Sequence, residues 1–197
     1  MFILPSVEIR WFGRGSPAPA MRAWFEAGER SPEAEPARDD RYLAHPDESL
    51  GIKLRQGKLE IKRRESLLEP LILPGVAGVV ERWRKWSFAL AEDDLPSEAW
   101  IAVHKRRLVR KYACQDGRAL AIAAAERPAQ GCNVELTELT VHGDSWWTLG
   151  FEAFGAESLL RDCLEATARA VFVGAAPRFD VRDSYGYPAW LARLGGG

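Results

Sequence analysis

Apolar and polar side chains alternate along much of this chain, with short turn formers between the alternating runs. That period of two marks strands whose two faces meet different surroundings. The first run, Val7-Glu8-Ile9-Arg10-Trp11-Phe12, sends Val7, Ile9 and Trp11 one way and Glu8 and Arg10 the other. Gly51 to Arg55 and Lys58 to Lys62 alternate strictly, and the Gln56-Gly57 connection between them predicts a hairpin with Lys53, Arg55, Lys58, Glu60 and Lys62 on one face. Further strands are predicted at 79–90, 100–113, 132–141 and 146–154, the last two joined by the turn His142-Gly143-Asp144-Ser145. Helical spacing is clear over 157–173, where Leu159, Leu160, Cys163, Leu164, Thr167 and Val171 recur, and a short final helix is predicted over 187–194. Residues 13–40, with Pro17, Pro19, Pro32 and Pro36, read as a loop excursion broken by a short helix near 21–27. The predicted fold class is α+β: an antiparallel β-barrel, closed or nearly closed, with a few packed helices, in one domain spanning 1–197.

Length and composition agree with that reading. A chain of 197 residues, 47% hydrophobic and 28% charged, can bury a core, and neither disorder nor a low-complexity chain is expected. Cys114, Cys132 and Cys163 are odd in number and far apart, so no disulfide framework or zinc site is expected. The apolar start is too short for a signal peptide and no run is long enough to span a bilayer, which predicts a soluble, cytoplasmic chain without a membrane partner.

The net charge of −1 changes meaning once the charges are placed. Gly51 to Lys111 hold 14 Lys or Arg against 8 Asp or Glu, a net of +6, and the rest of the chain nets −7. Lys53, Arg55 and Lys62, then Lys85, then Lys105 and Arg107, recur in phase, so several strands turn cations to one face. Strand charges on a generic half-buried sheet simply face water. Here later strands add acids in phase with polar neighbours, Asn133-x-Glu135-x-Thr137 and Thr148-x-Gly150-x-Glu152. A barrel with such an interior would hold a polyphosphate with a divalent cation: carboxylates suit Mg²⁺ or Mn²⁺, and arginine forks suit phosphate.

In these motifs the chain resembles the CYTH superfamily of triphosphate tunnel metalloenzymes. Ser6-Val7-Glu8-Ile9-Arg10 is similar to the family's opening Glu-x-Glu-x-Lys, with Ser6 in place of the first acid and Arg10 in place of the lysine. Asp40-Arg41-Tyr42-Leu43 resembles its second strand, Lys53-Leu54-Arg55 with Lys62 its paired basic strands, and Lys105-Arg106-Arg107 a later basic strand. Gly150-Phe151-Glu152 resembles the strand with a metal-binding acid, and Ser184-Tyr185 with Trp190-Leu191 the closing helix. The resemblance implies a tunnel fold and metal-assisted hydrolysis of the terminal phosphoryl group of an inorganic or organic triphosphate. The expected roles are Glu8 and Glu152 in catalysis; Glu8, Glu135 and Glu152 as ligands of Mg²⁺ or Mn²⁺; and Arg10, Lys53, Arg55, Lys62, Lys85, Lys105 and Arg107 on the phosphates. The expected partner is a triphosphate-containing small molecule or inorganic polyphosphate, not nucleic acid, taken up by a monomer or homodimer. The missing acid at Ser6 leaves a second expectation, a module that binds polyphosphate or a nucleotide without turning it over. A third is a lipocalin-like barrel with an apolar interior, in which Lys53 and Arg55 would point outward.

Other signals are weaker. Trp83, Trp86, Trp146 and Trp147 could stack on an organic ring, although packing against helices is the expected role of most tryptophans here. For the strand at 79–90, either Glu81, Trp83 and Lys85 or Arg82 and Arg84 face the interior. His142, Asp144 and Ser145 read as turn residues and His104 as an outward structural histidine.

Overall fold

The computed structural model describes residues 2–89, 99–174 and 176–194, so position 90, the last of the strand predicted at 79–90, lies outside the described residues. In chain order the elements are β1 (Phe2–Arg14), α1 (Pro19–Glu26), β2 (Glu33–Leu43), β3 (Leu50–Arg55), β4 (Lys58–Leu73) and β5 (Val76–Ala89), then β6 (Trp100–Gln115), β7 (Arg118–Ile122), β8 (Gly131–Val141), β9 (Asp144–Phe154), α2 (Leu160–Val171) and α3 (Tyr187–Leu194). Eight strands form a closed antiparallel barrel in the order β2-β3-β4-β5-β1-β9-β8-β6, with a β2–β6 ladder closing the ring. Closure removes the free strand edges that would otherwise template aggregation. The ninth strand, β7, pairs with β6 beside the ring.

Three hairpins turn through residue pairs of positive φ: Gln56-Gly57, Asp116-Gly117 and His142-Gly143. Both central residues of a type I′ turn need that conformation, which explains why His142 sits there as a turn residue.

The strands begin and end differently from the sequence expectation in several places, among them β4, which runs past Lys62 to Leu73. The excursion expected over 13–40 is mostly ordered: β1 runs to Arg14, α1 lies within it, and β2 starts at Glu33. Proline and acidic residues hide the strand, and β2 accommodates Pro36 at an irregularity between Glu35 and Arg38 where the β6 register shifts. The strand β7 was not expected because Arg-Ala-Leu-Ala-Ile is short and alanine-rich.

The barrel's outer face carries the larger core. Val7, Ile9 and Trp11 of β1 join Val134, Leu136, Leu149 and Phe151, and the apolar face of α2 (Leu160, Leu164, Ala168, Val171) covers them. Met21 and Phe25 of α1 enter the same core. Cys114 at the end of β6 and Cys163 of α2 form a disulfide, Cα–Cα 5.6 Å, which corrects the expectation of no cross-link. The 49-residue separation hid the pair, and the packing of α2 over the barrel brings the two together. Cys132 is free and buried.

A second, smaller cluster lies inside the barrel at one end. Phe12, Tyr42, Val103, Leu139 and Val141 point inward and pack against Trp190 and Leu191 of α3. Phe12 stacks on Tyr185 and on Trp190, with ring centroids 5.2 Å apart in both cases. The segment leading into α3 is tied to the wall, since Tyr185 N–H donates to the Arg10 carbonyl and Val79 N–H donates to Ser184 Oγ. Among the described residues no helix is long and apolar enough to cross a membrane.

Candidate functional site

The rest of the interior is a cavity of about 130 Å³ with a charged wall. Strand phase builds it. On β1 the residues opposite Val7, Ile9 and Trp11 are Ser6, Glu8 and Arg10, and cross-strand register sets their neighbours: Glu8 faces Glu81 on β5 and Glu152 on β9, while Arg10 faces Gly150. Lys53 lies opposite Glu60, and Lys62 opposite Lys85. Every residue the sequence nominated lines this one cavity: Arg10, Lys53, Arg55, Lys62, Lys85, Lys105 and Arg107 among the cations, and Glu8, Glu135 and Glu152 among the acids. On β5 the interior set is Glu81, Trp83 and Lys85. Arg82 and Arg84 instead pair outside with Glu157. His104 is exposed and pairs with Asp39.

The structure adds residues to which sequence reasoning gave no site role. Arg38, Tyr42, Glu81 and Tyr187 line the cavity, and Asp40 is wholly buried behind it. Extending β2 toward the N-terminus would have put Arg38, Asp40 and Tyr42 in phase. The wall then carries eight cations against five carboxylates among the described residues, a net of +3.

The charges fall into groups. Asp40 gathers cations from three strands: Lys105 at 3.0 Å, Arg38 at 3.1 Å and Lys53 at 4.0 Å. Burial alone would raise its carboxyl pKa, and these cations, Lys105 foremost, bring it down to about 2. Lys105 also donates to the Tyr42 hydroxyl at 2.5 Å and sits 4.0 Å from the Tyr187 ring centroid. Burial depresses its pKa to about 8 despite Asp40. Lys53 pairs with Glu60 at 2.9 Å and Arg55 with the same acid at 3.6 Å.

Beside this group, Glu135 of β8 accepts from Arg107 of β6 at 2.9 Å and lies 3.7 Å from Arg10. The Arg10 guanidinium rests on Gly150, where a Cβ would come within 2.4 Å of its Cζ. Burial opposes the charge on Arg10, yet Tyr187, Glu135, Glu8 and Glu152 raise its pKa.

The third group centres on Lys62, whose ammonium contacts Glu8 Oε1 and lies 4.0 Å from Glu152. Ser6 Oγ donates to the same Glu8 oxygen at 2.5 Å. Lys62 is the leading cause of the depression of the Glu152 pKa to about 2. In the same row Glu81 is held by Arg64 at 2.6 Å and by Trp83 Nε1 at 3.2 Å. Lys85 makes no ion pair among the described residues.

A divalent cation of the Mg²⁺ type asks for one or two carboxylates, with the remaining ligands from phosphate and water. Glu8 and Glu152, facing each other across β1 and β9, meet that requirement. Glu135 lies one row away, clamped by two arginines, and is not brought to them. Among the described residues, no three His, Cys, Asp or Glu side chains converge as a ready-made metal cage. No protein-family model matches the chain, and no curated protein matches it in sequence.

Proposed function

We propose that the barrel binds a linear triphosphate, inorganic or organic, and hydrolyses its terminal phosphoryl group with Mg²⁺ or Mn²⁺, as in the triphosphate tunnel enzymes its motifs resemble. The observation that carries this reading is the net positive, inward-facing wall whose cations come from six different strands. A buried cationic surface of this kind repels itself, and a polyanion relieves it. In this reading Lys53, Arg55 and Lys105 hold phosphates, and Arg10 and Arg107 offer planar forks beside Lys105. Lys85, which makes no ion pair among the described residues, supplies a further cation in the field of Glu152. Glu8 and Glu152 hold the metal, which when bound offsets phosphate charge and makes a bound water more acidic. The cations of the wall stabilise negative charge as it moves onto the leaving phosphate. The substrate is a small molecule, and a cytoplasmic setting goes with the reading, although disulfides such as Cys114–Cys163 are commoner in oxidising compartments.

Phosphate release from tripolyphosphate, thiamine triphosphate and ATP, each with Mg²⁺ or Mn²⁺, tests the proposal. Turnover of at least one is expected, falling at least about a hundredfold in Glu152→Gln, ~2.7 kcal/mol of transition-state stabilisation. Activity untouched by that change would remove the metal role.

A second reading, capture without turnover, is favoured by one detail: Glu8 Oε1 already accepts from both Ser6 and Lys62. Calorimetry with tight tripolyphosphate binding and no product would decide for it. The lipocalin-like alternative required Lys53 and Arg55 to point outward, and both line the interior.

A further inference from the structure

Lys62 starts on β4, yet its ammonium ends between carboxylates from β1 and β9. The stem crosses Trp83, with Nζ 5.7 Å from that ring's centroid. Ammonium is a compact charge that gives up its water only for good acceptors. Here it receives Glu8 Oε1 and the field of Glu152, and these two acids raise the Lys62 pKa against the opposing effect of burial. The two carboxylates holding it are the pair that face each other across β1 and β9 and would give a divalent ion its two acid ligands. The ammonium and the metal therefore compete for the same oxygens.

The surroundings supply a way to move the lysine. Lys85 lies directly opposite Lys62 on the neighbouring strand, a like-charge pair that is unfavourable by itself. An anion arriving beside Lys85, which makes no ion pair among the described residues, gives Lys62 an alternative partner and leaves Glu8 and Glu152 exposed to a second cation.

We propose that Lys62 is a built-in occupant of the divalent-cation site, an intramolecular cation that the metal must displace from Glu8 and Glu152 and that bound phosphates draw away. The inference rests on the triphosphate reading for its physiological meaning, but the competition is a property of the chain alone. Its consequence is an order: the polyanion binds to the metal-free barrel, and the metal gains its full affinity afterwards.

The test is direct Mn²⁺ binding to the full-length protein, by electron paramagnetic resonance of free Mn²⁺, with no phosphate present. Lys62→Met and Lys62→Gln are expected to bind Mn²⁺ at least about tenfold more tightly than the unaltered protein, and Lys62→Arg, which keeps the charge, no more tightly. Circular dichroism selects the variants that fold; with two neutral variants one misfolded protein does not decide the outcome. Neutral variants that bind Mn²⁺ no better than the unaltered protein, or a complete absence of Mn²⁺ binding in all of them, overturn the proposal. A companion calorimetric titration of tripolyphosphate in EDTA is expected to show binding to the unaltered protein. Tripolyphosphate that binds neither in EDTA nor with Mn²⁺ would defeat the triphosphate reading, while the phosphate-free arm would still decide the role of Lys62.

Discussion

The two ends of the barrel interior are built on the same strands and have opposite chemistry. On β1 the inward positions run Ser6, Glu8, Arg10 and then Phe12; on β8 they run Glu135, Thr137 and then Leu139 and Val141. At one end charges meet across a cavity, and at the other rings and aliphatic side chains close on α3. Strand periodicity fixes which residues face inward but not what they are, so the depth of the cavity is set by where charged side chains give way to apolar ones. The apolar end supplies stability through burial, while the charged end costs desolvation, which charge partners outweigh at Asp40, Glu152, Arg10 and Lys62 but not at Lys105. The α3 cluster closes the interior at that end as a plug, next to the charged cavity that Tyr42 and Tyr187 also line.

The largest effect is expected from breaking the plug. Trp190 is wholly buried against Phe12 and Tyr187, and Trp190→Ala removes the centre of the inner cluster. A loss of about 3–5 kcal/mol in denaturant unfolding is expected. Trp190→Phe should cost far less, because Trp190 Nε1 has no hydrogen-bond partner among the described residues. Equal losses for the two would mean that the indole is held by more than packing.

A smaller effect is expected where the charged end depends on the absence of a side chain. At Gly150→Ala the new Cβ would fall 2.4 Å from Arg10 Cζ, and the Arg10 guanidinium cannot retreat without leaving Glu135. A destabilisation of about 1–3 kcal/mol is expected from overpacking. Tripolyphosphate affinity should fall with it, at least about tenfold, ~1.4 kcal/mol. Full affinity in Gly150→Ala would show that Arg10 does not touch the anion.

The difference between the two ends also explains what the sequence made legible. The alternation at 7–12 and 51–62 is strict because one face of each strand meets charge and the other meets a helix or solvent, so the barrel and its cations could be read directly. Glu8, Arg10, Lys53, Arg55, Lys105 and Arg107 were found by phase. Asp40 was found only as part of a strand motif, because its role depends on Arg38, Lys53 and Lys105 converging from three strands. The phase of Glu81, Trp83 and Lys85 stayed open because both faces of that strand carry arginine or lysine. Nothing local shows that Lys62 reaches across to Glu8, or that Cys114 meets Cys163, since each contact is made by closure or helix packing across 49 residues or more. The plug was legible only as a helix; that α3 enters the barrel end follows from where Phe12 and Leu139 fall in the register.

The pH dependence separates the ends in another way, because only the charged one titrates. The Lys105 pKa in the folded protein is about 8, below the ordinary lysine value of 10.5, because burial disfavours its charge. The unfolded chain therefore binds more protons between these two values, and this lysine makes stability rise with pH across that window. Tripolyphosphate binding should move the opposite way, weakening as Lys105 loses its proton above about 8. The groups around it are Asp40, Tyr42 and Tyr187, with Arg10 and Glu135 further off, and Asp40 remains ionised throughout. A fall of about tenfold or less in affinity between pH 7 and 9.5 is expected, since one cation of several is lost. Calorimetry at these pH values on the unaltered protein and on Lys105→Arg, which stays charged, checks the assignment. A Lys105→Arg protein with the same pH profile would place the titrating group elsewhere.

The smallest structural effect is expected at Lys85. It lines the cavity, makes no ion pair among the described residues and faces Lys62 across the β4–β5 ladder. Removing its charge relieves that like-charge pair and breaks no contact the fold relies on, so Lys85→Ala should change unfolding free energy by no more than about 0.5 kcal/mol. An anion that enters the charged end would lose one cation that is in no ion pair among the described residues, and tripolyphosphate affinity should fall about fivefold, ~1 kcal/mol. The combination of unchanged stability and weakened binding is the opposite of what Trp190→Phe should give, where the plug changes and the cavity wall does not. If Lys85→Ala binds as tightly as the unaltered protein, the phosphates lie nearer Arg10 and Arg107, on the β1 and β6 side of the barrel.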